Sequence, residues 1–326
     1  MAELSYLAAG LAALAEEMRR DPDVWTLGED LGRGGVFGQY RGLSEEFGPA
    51  RVADTPISEA CIMGAAVGAA MMGTRPVVEM RFSDFALCAV DELVNQAAKA
   101  RYMFGGQARV PLVVREPIGM WRSSAAQHSQ SLEAWYAHIP GLVVVTPATP
   151  ADNYALLKAA IRADDPVVYM EHKNLWGLTG EVVDGAIGDL GLARIVRLGA
   201  DLTLVSWSAM VHEAAAAAML AEGRGVDVEL IDLRTLWPWD RELVLDSVGR
   251  TGRLLIVHEA VQVGGFGAEI AATVAEELFE RLRAPVRRLG APRIPIGYAP
   301  PLEDQAKICA ERDILPAIMA LAGRAR

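Results

Sequence analysis

Residues 76–115 read PVVEM RFSDFALCAV DELVNQAAKA RYMFGGQARV PLVVR. Pro76–Met80 is a short apolar run with a β-branched centre, the pattern of a strand buried on both faces. From about Asp84 to Phe104 the spacing predicts a helix, and Arg109–Arg115 predicts the next strand. A strand, a long helix and a second strand form the unit that joins parallel neighbours. Working outward, the same alternation continues. Residues 2–20 carry apolar positions at helical spacing and end in Arg19-Arg20, charges suited to a helix C-terminus. Trp25–Gly28 is a short strand candidate. Ser58–Met72 is small-residue rich and apolar almost throughout, which predicts a helix buried on most sides. Gly141–Val145 and Pro166–Glu171 predict strands around a helix over 151–163 led in by Pro150-Ala151-Asp152. The fold class is therefore α/β, with parallel strands covered by helices on both faces.

A turn-rich stretch, GEVVDGAIGDLGLARIVRLGAD, breaks the pattern near 180–200. Beyond it a second alternation runs through Leu202–Ser206, Met210–Leu220, Val226–Asp232, Arg241–Val248, Arg253–His258 and Gly267–Leu282. The predicted organisation is a domain over 1–185, a linker over 186–199 and a smaller α/β domain over 200–326. A length of 326 residues suits two cores of that size.

The formal net charge of −11 repels a duplex of phosphates, so nucleic acid is an unsuitable partner. Cys61, Cys88 and Cys309 are widely spaced and show no CxxC pattern, which reads as reduced thiols. Apolar stretches are cut by charge or proline before membrane-spanning length, and no basic n-region precedes an apolar core. A soluble cytoplasmic protein, without membrane contact, is the expectation.

Standard cofactor cradles are missing: the chain has no GxxxxGK[ST], GxSxG or HExxH. Gly265-Phe-Gly267-Ala-Glu-Ile270 approaches GxGxxG but has Ile270 for the third glycine, and reads as a helix start needing adaptable backbone. Two segments carry chemistry. In Asp54-Thr-Pro-Ile-Ser58-Glu59, Glu59 opens the small-residue helix; it is either a capping-box carboxylate or a general acid with a burial-raised pKa. In Ala125-Ala-Gln-His128-Ser-Gln-Ser131, His128 follows a strand where α/β sheets present their functional ends. It is either a proton carrier or a loop histidine held by Gln127 or Ser129. His172 and His258 end strands beside glutamates, whereas His138 and His212 sit in helical patterns and read as structural.

DTPISEA (54–60), DELVNQAAKARYMFGGQ (91–107), AAQHSQS (125–131), HIPGLVVVTPATPADNYALLKAAI (138–161), DDPVVYMEHK (164–173) and DLRTLWPWD (232–240) with GRLLIVHEA (252–260) occur in one order along the chain. Together they resemble the β subunits of the 2-oxo acid dehydrogenase decarboxylating component, pyruvate and acetoin dehydrogenase types, within the transketolase-like thiamine diphosphate enzymes. The resemblance implies a pyrimidine-binding three-layer parallel-sheet domain followed by a transketolase C-terminal-like α/β domain. It implies that Glu59 hydrogen-bonds the aminopyrimidine nitrogen of thiamine diphosphate, that Phe85 packs on that ring, and that Tyr102 lines the same cleft. His128 then orients substrate or passes a proton during acyl transfer to lipoamide. A potassium ion is implied on main-chain carbonyls at Leu112, Ala160, Ile161, Ala163 and Asp165. The chain lacks the GDG motif that holds the diphosphate through Mg²⁺, which the resemblance assigns to an α subunit. A second β subunit and a lipoyl-bearing acyltransferase core complete the expected partners.

Arg81 and Trp121-Arg122 depart from the family pattern; either arginine could clamp a substrate carboxylate or face solvent. RYMFGGQ, AQHSQSLEAW and MEHK place pyruvate and acetoin ahead of branched-chain 2-oxo acids. A carboligase using the same cofactor and a silent scaffold are the other readings. The presence of Glu59, Phe85 and His128 argues against the scaffold.

Overall fold

Val113–Ile118 (β5) lies at the centre of a parallel sheet, and every one of its residues is buried. The strand starts four residues later than the predicted Arg109, because Pro111 has no N–H to give to a ladder. The computed structural model describes residues Met1–Arg324. These divide into two units, Met1–Ile118 with Trp135–Leu190, and Gly119–Ala134 with 191–324. The second part of the chain thus claims residues 119–134, which lie within the single first domain read from sequence. Carboxylates hold that segment: Met120 N–H donates to Glu259 (2.7 Å), Ser123 N–H donates to Glu303 (2.8 Å), and Trp207 Nε1 donates to Glu133 (3.0 Å).

In the first unit Val143–Val145 (β6), Val167–His172 (β7), β5, Arg75–Glu79 (β4), Val24–Gly28 (β2) and Val52–Asp54 (β3) neighbour one another in that order, all parallel. Residues 2–5 are not the start of a helix. Ala2–Ser5 (β1) pairs antiparallel with Thr179–Val182 (β8), and Ser5 Oγ caps the helix that follows, Tyr6–Arg20 (α1), by accepting from Ala8 N. Helix Pro150–Arg162 (α3) has Thr149 as its N-cap and packs on α1 over a core of Ala9, Ala13, Leu14, Leu156 and Leu157.

Behind this core runs a buried polar chain. Arg115 Nε donates to Glu171 Oε2 (2.8 Å), Asn153 Nδ2 donates to Glu171 Oε1 (3.0 Å), and Tyr40 OH donates to Glu79 Oε2 (2.7 Å). Gly10 lies inside α1 for the sake of this network, since a Cβ there would sit 2.9 Å from Asn153 Nδ2. Burial pushes the Glu79 carboxyl up to about 7 despite Arg115 and Tyr40, which both favour its charge.

The region predicted as one helix from 84 to 104 is four pieces: α-helical Ser83–Ala86, 3₁₀ Leu87–Ala89, π-helical Asp91–Ala97 and α-helical Ala98–Met103. Apolar spacing read over a window does not register such changes of period. Helix Glu59–Met71 (α2) packs against 87–97 with Ile62, Met63, Ala66, Val67 and Ala70. Its other face, with Ala60, Cys61, Gly64, Ala65, Gly68 and Met71, is exposed, contrary to the expected burial on most sides. An all-round apolar helix signals burial without saying which chain provides the cover.

The second unit has its own sheet. Arg287–Ala291 (β13), Leu254–Val261 (β12), Leu202–Ser206 (β10) and Val228–Asp232 (β11) are parallel, and Arg194–Arg197 (β9) closes the edge antiparallel. Helices Met210–Glu222 (α4), Arg241–Thr251 (α5) and Gly267–Leu278 (α6) follow three of these strands. The Gly265 and Gly267 pair has a packing role. A Cβ at Gly265 would meet the His258 ring at 2.6 Å and one at Gly267 at 2.9 Å, while Gly290 crowds the same ring at 2.7 Å. His258 is fully buried, stacked on Trp207 at 5.1 Å, with Nδ1 on Ala260 O at 3.0 Å. Burial lowers its pKa to about 4, so the ring is neutral.

Candidate functional site

Parallel α/β sheets gather functional groups beyond the carboxyl ends of their strands. In the first unit Glu29 and Asp30 follow β2, the segment leading to Glu59 follows β3, and Arg81, Phe82 and Phe85 follow β4. Lys173 and Trp176 follow β7. Glu59 is half-buried at the first position of α2, and it makes no hydrogen bond or ion pair to any described residue. Ser58 provides no side-chain cap there, so the capping-box alternative is absent.

Glu29 stands close enough to Glu59 to feel its charge. Burial raises the Glu29 pKa, Arg81 pulls it back, and Glu59 and Asp30 push it up. Arg81 is neither a free carboxylate clamp nor a solvent-facing side chain: Nη2 meets Asp30 at 2.7 Å and Nη1 meets Glu29 at 3.4 Å. Both Arg81 (φ 39°) and Asp30 (φ 59°) adopt left-handed backbone, a strain concentrated at this sheet edge. Phe85 is half-buried and meets Phe82 edge-on at 5.5 Å. Phe82 in turn contacts Phe37 at 6.1 Å, and Phe37 lies on Trp176 at 4.6 Å. The ammonium of buried Lys173 sits 4.7 Å over the Phe82 ring. The arrangement combines an available carboxyl with an apolar aromatic wall, which suits a flat heteroaromatic ring carrying a basic nitrogen. Thiamine diphosphate's aminopyrimidine meets that description.

Sequence reading missed Glu29, Lys173, Phe37, Phe82 and Trp176. Glu29 and Lys173 were detectable, each being a charged residue directly after an apolar strand. Phe37 lies in a loop without periodicity and gave no signal.

His128 belongs to the second unit, half-buried on the 119–134 segment. Arg122, Ser123 and Ala125 before it all have positive φ (49°, 56° and 64°), held by the Glu259 and Glu303 contacts. Arg122 stacks over Trp121 at 5.0 Å. Of the other histidines, His172 is buried like His258, with Nδ1 accepting from Asn174 N, while His138 and His212 are exposed. Tyr102 is 87% exposed, beside exposed Met103 and Phe104. A shallow hollow of about 530 Å³, lined by Met71, Met103, Phe104, Gly105, Gln107 and Ala108, opens at the end of α2 remote from Glu59.

Four of the carbonyls implied for a potassium ion already accept hydrogen bonds, and the Asp165 side chain is engaged by an arginine. Arg75 Nη1 donates to Ile161 O (3.1 Å) and Ala163 O (2.9 Å). Leu112 O accepts from Val167 N (2.8 Å), Ala160 O accepts from Ala163 N (3.2 Å), and Asp165 pairs with Arg101.

Residues 2–177 match the transketolase pyrimidine binding domain, and residues 191–312 match the transketolase C-terminal domain. The chain is 45% identical to the β subunit of acetoin:2,6-dichlorophenolindophenol oxidoreductase of Cupriavidus necator, covering 93% of each. It is 44% identical to the 2-oxoisovalerate dehydrogenase β subunit of Bacillus subtilis, over 93% of this chain and 94% of that one. To the pyruvate dehydrogenase E1 β subunit of Rhizobium meliloti it is 45% identical, over 94% of this chain and 67% of the relative. A solved split-gene transketolase, an inactive β4 tetramer, superposes with a TM-score of 0.79 over 99% of both chains at 23% identity, which establishes the shared fold.

Proposed function

The chain belongs to the transketolase-like family of 2-oxo acid and acetoin dehydrogenase β subunits, and on that premise we propose that it is one half of a thiamine-diphosphate enzyme cleaving the bond beside a substrate carbonyl. One observation carries the reading. Glu59 opens α2 at the functional edge of the sheet with its carboxyl unengaged by the described residues. When bound, thiamine diphosphate supplies an acidic thiazolium carbon and an electron sink for the cleavage. Glu59 exchanges a proton at the aminopyrimidine nitrogen. Phe85 walls that ring and, with Phe82, keeps water away. His128 serves the substrate side, giving or taking a proton during acyl transfer to lipoamide.

The diphosphate and Mg²⁺ are assigned to an α subunit carrying the GDG motif, which this sequence lacks. The exposed apolar face of α2 and the exposed Tyr102–Phe104 corner support an assembly with the α chain and a second β subunit. A lipoyl-bearing acyltransferase core is the remaining proposed partner. Among the described residues no helix is long and apolar enough to cross a membrane. The three cysteines are unbonded, which supports a reducing cytoplasmic setting.

Pyruvate and acetoin are the favoured substrates, on the RYMFGGQ, AQHSQSLEAW and MEHK stretches. Overall identity of 44–45% to the acetoin, 2-oxoisovalerate and pyruvate relatives does not rank them. The test combines this chain with its α partner, thiamine diphosphate and Mg²⁺, and follows reduction of an artificial acceptor by each substrate. Glu59→Gln should lose on the order of 10²–10⁴-fold in turnover while the complex still assembles. Undiminished turnover in that variant refutes the assignment. Acyloin formed without an acceptor would instead identify a carboligase.

A further inference from the structure

Helix α3 ends at Arg162, leaving its last carbonyls without partners inside the helix, and the turn 163–165 that follows adds two carboxylates. Such an end attracts positive charge. Three guanidinium groups from other elements converge on it. Arg75, the first residue of β4, donates from Nη1 to Ile161 O (3.1 Å) and Ala163 O (2.9 Å), and from Nη2 to Asp164 Oδ1 (2.9 Å). Arg101 binds the Asp165 carboxylate through Nε and reaches Asp164 O from Nη2 at 3.2 Å. Arg109 Nη1 meets the other oxygen of Asp164 at 2.8 Å.

We propose that these arginines are the built-in cation of this turn, so that the chain needs no potassium ion to hold it. The argument is electrostatic and geometric. An alkali cation binds here only by collecting carbonyl oxygens, and those of Ile161 and Ala163 already face a guanidinium. A cation added among the same oxygens would stand beside that guanidinium, and like charges at such distances repel. A guanidinium also has what the ion lacks: fixed, directional N–H groups that reach two carbonyls and a carboxylate at once. Asp164 and Asp165 offset two of the three positive charges, and the negative carbonyl end of α3 offsets part of the third, so the turn carries no excess negative charge for an ion to neutralise.

Thermal unfolding of the purified full-length chain in potassium, sodium and choline chloride at equal ionic strength tests this. Anything bound by the folded chain alone raises the midpoint with its concentration. Wild-type chain should unfold at one temperature in all three salts. Arg75→Ala should unfold about 3–8 °C lower in choline chloride, having lost two carbonyl contacts and an ion pair, and should recover part of that loss in potassium chloride. Arg75→Lys, which keeps one charge, should lie between the two. A potassium-specific rise in the wild-type midpoint overturns the proposal whether or not any variant folds. So does an Arg75→Ala variant whose midpoint matches wild type in every salt.

Discussion

Replacing Glu116 with glutamine should remove a pH-dependent part of the stability. Glu116 lies in β5, fully buried, where Ser83 Oγ donates to it at 2.9 Å and Asp84 and Tyr136 stand near. Burial moves its carboxyl from 4.5 up to about 8; the Ser83 hydrogen bond and the nearby Tyr136 hydroxyl hold it down and Asp84 adds to the rise. The folded chain therefore keeps a proton that the unfolded chain releases. Its stabilisation is complete below pH 4.5, declines as pH rises, and is gone above about 8. At about 1.4 kcal/mol per pH unit, that window corresponds to roughly 5 kcal/mol at most. Glutamine has the same shape, accepts from Ser83 and does not titrate.

The assay is the difference in thermal midpoint between wild type and Glu116→Gln, measured from about pH 5 to about pH 9. Differences cancel the titrations common to both proteins, such as those of Glu79 and His258. Relative to wild type, the variant should gain about 3–5 °C per pH unit up to about pH 8 and then level off. Parallel profiles would refute the reasoning, because they would mean that Glu116 is charged throughout.

Two further substitutions test the packing. Gly267→Ala places a methyl 2.9 Å from His258 Cδ2 and 3.0 Å from Ile256 Cγ2. Calorimetry should show a loss of about 1–3 kcal/mol, and an unchanged midpoint would mean the ring can yield. Arg115→Met strands Glu171 and Glu79 in the core without their cation, at a cost of about 3–5 kcal/mol. Adding Glu171→Gln to it should restore much of the midpoint, and a double variant no more stable than the single one would contradict the buried-pair account.

The alternation of 2-fold and 3.6-fold periodicity was legible because burial imposes it residue by residue. Strand boundaries shifted where local chemistry intervened: Pro111 delayed β5, and Ser5 capped α1 and left residues 2–5 to pair with β8. Glu59 stood out in the sequence as a carboxylate opening a small-residue helix, and Phe85 entered only through the family resemblance. The partners of Glu29, Lys173 and Arg81 were not legible, since each depends on what stands at the end of a neighbouring strand.

The order of residues alone therefore determined the α/β class, the two successive alternations and the family, all of which follow from local patterns or contiguous motifs. Tertiary structure decided which charges meet. It put Arg75 on the carbonyls of Ile161 and Ala163 across 86 and 88 positions, closed Gly265, Gly267 and Gly290 around His258, and gave 119–134 to the second unit. Hydrogen bonds and ion pairs act over a few ångströms of space, and distance along the chain says nothing of which groups folding brings within that reach.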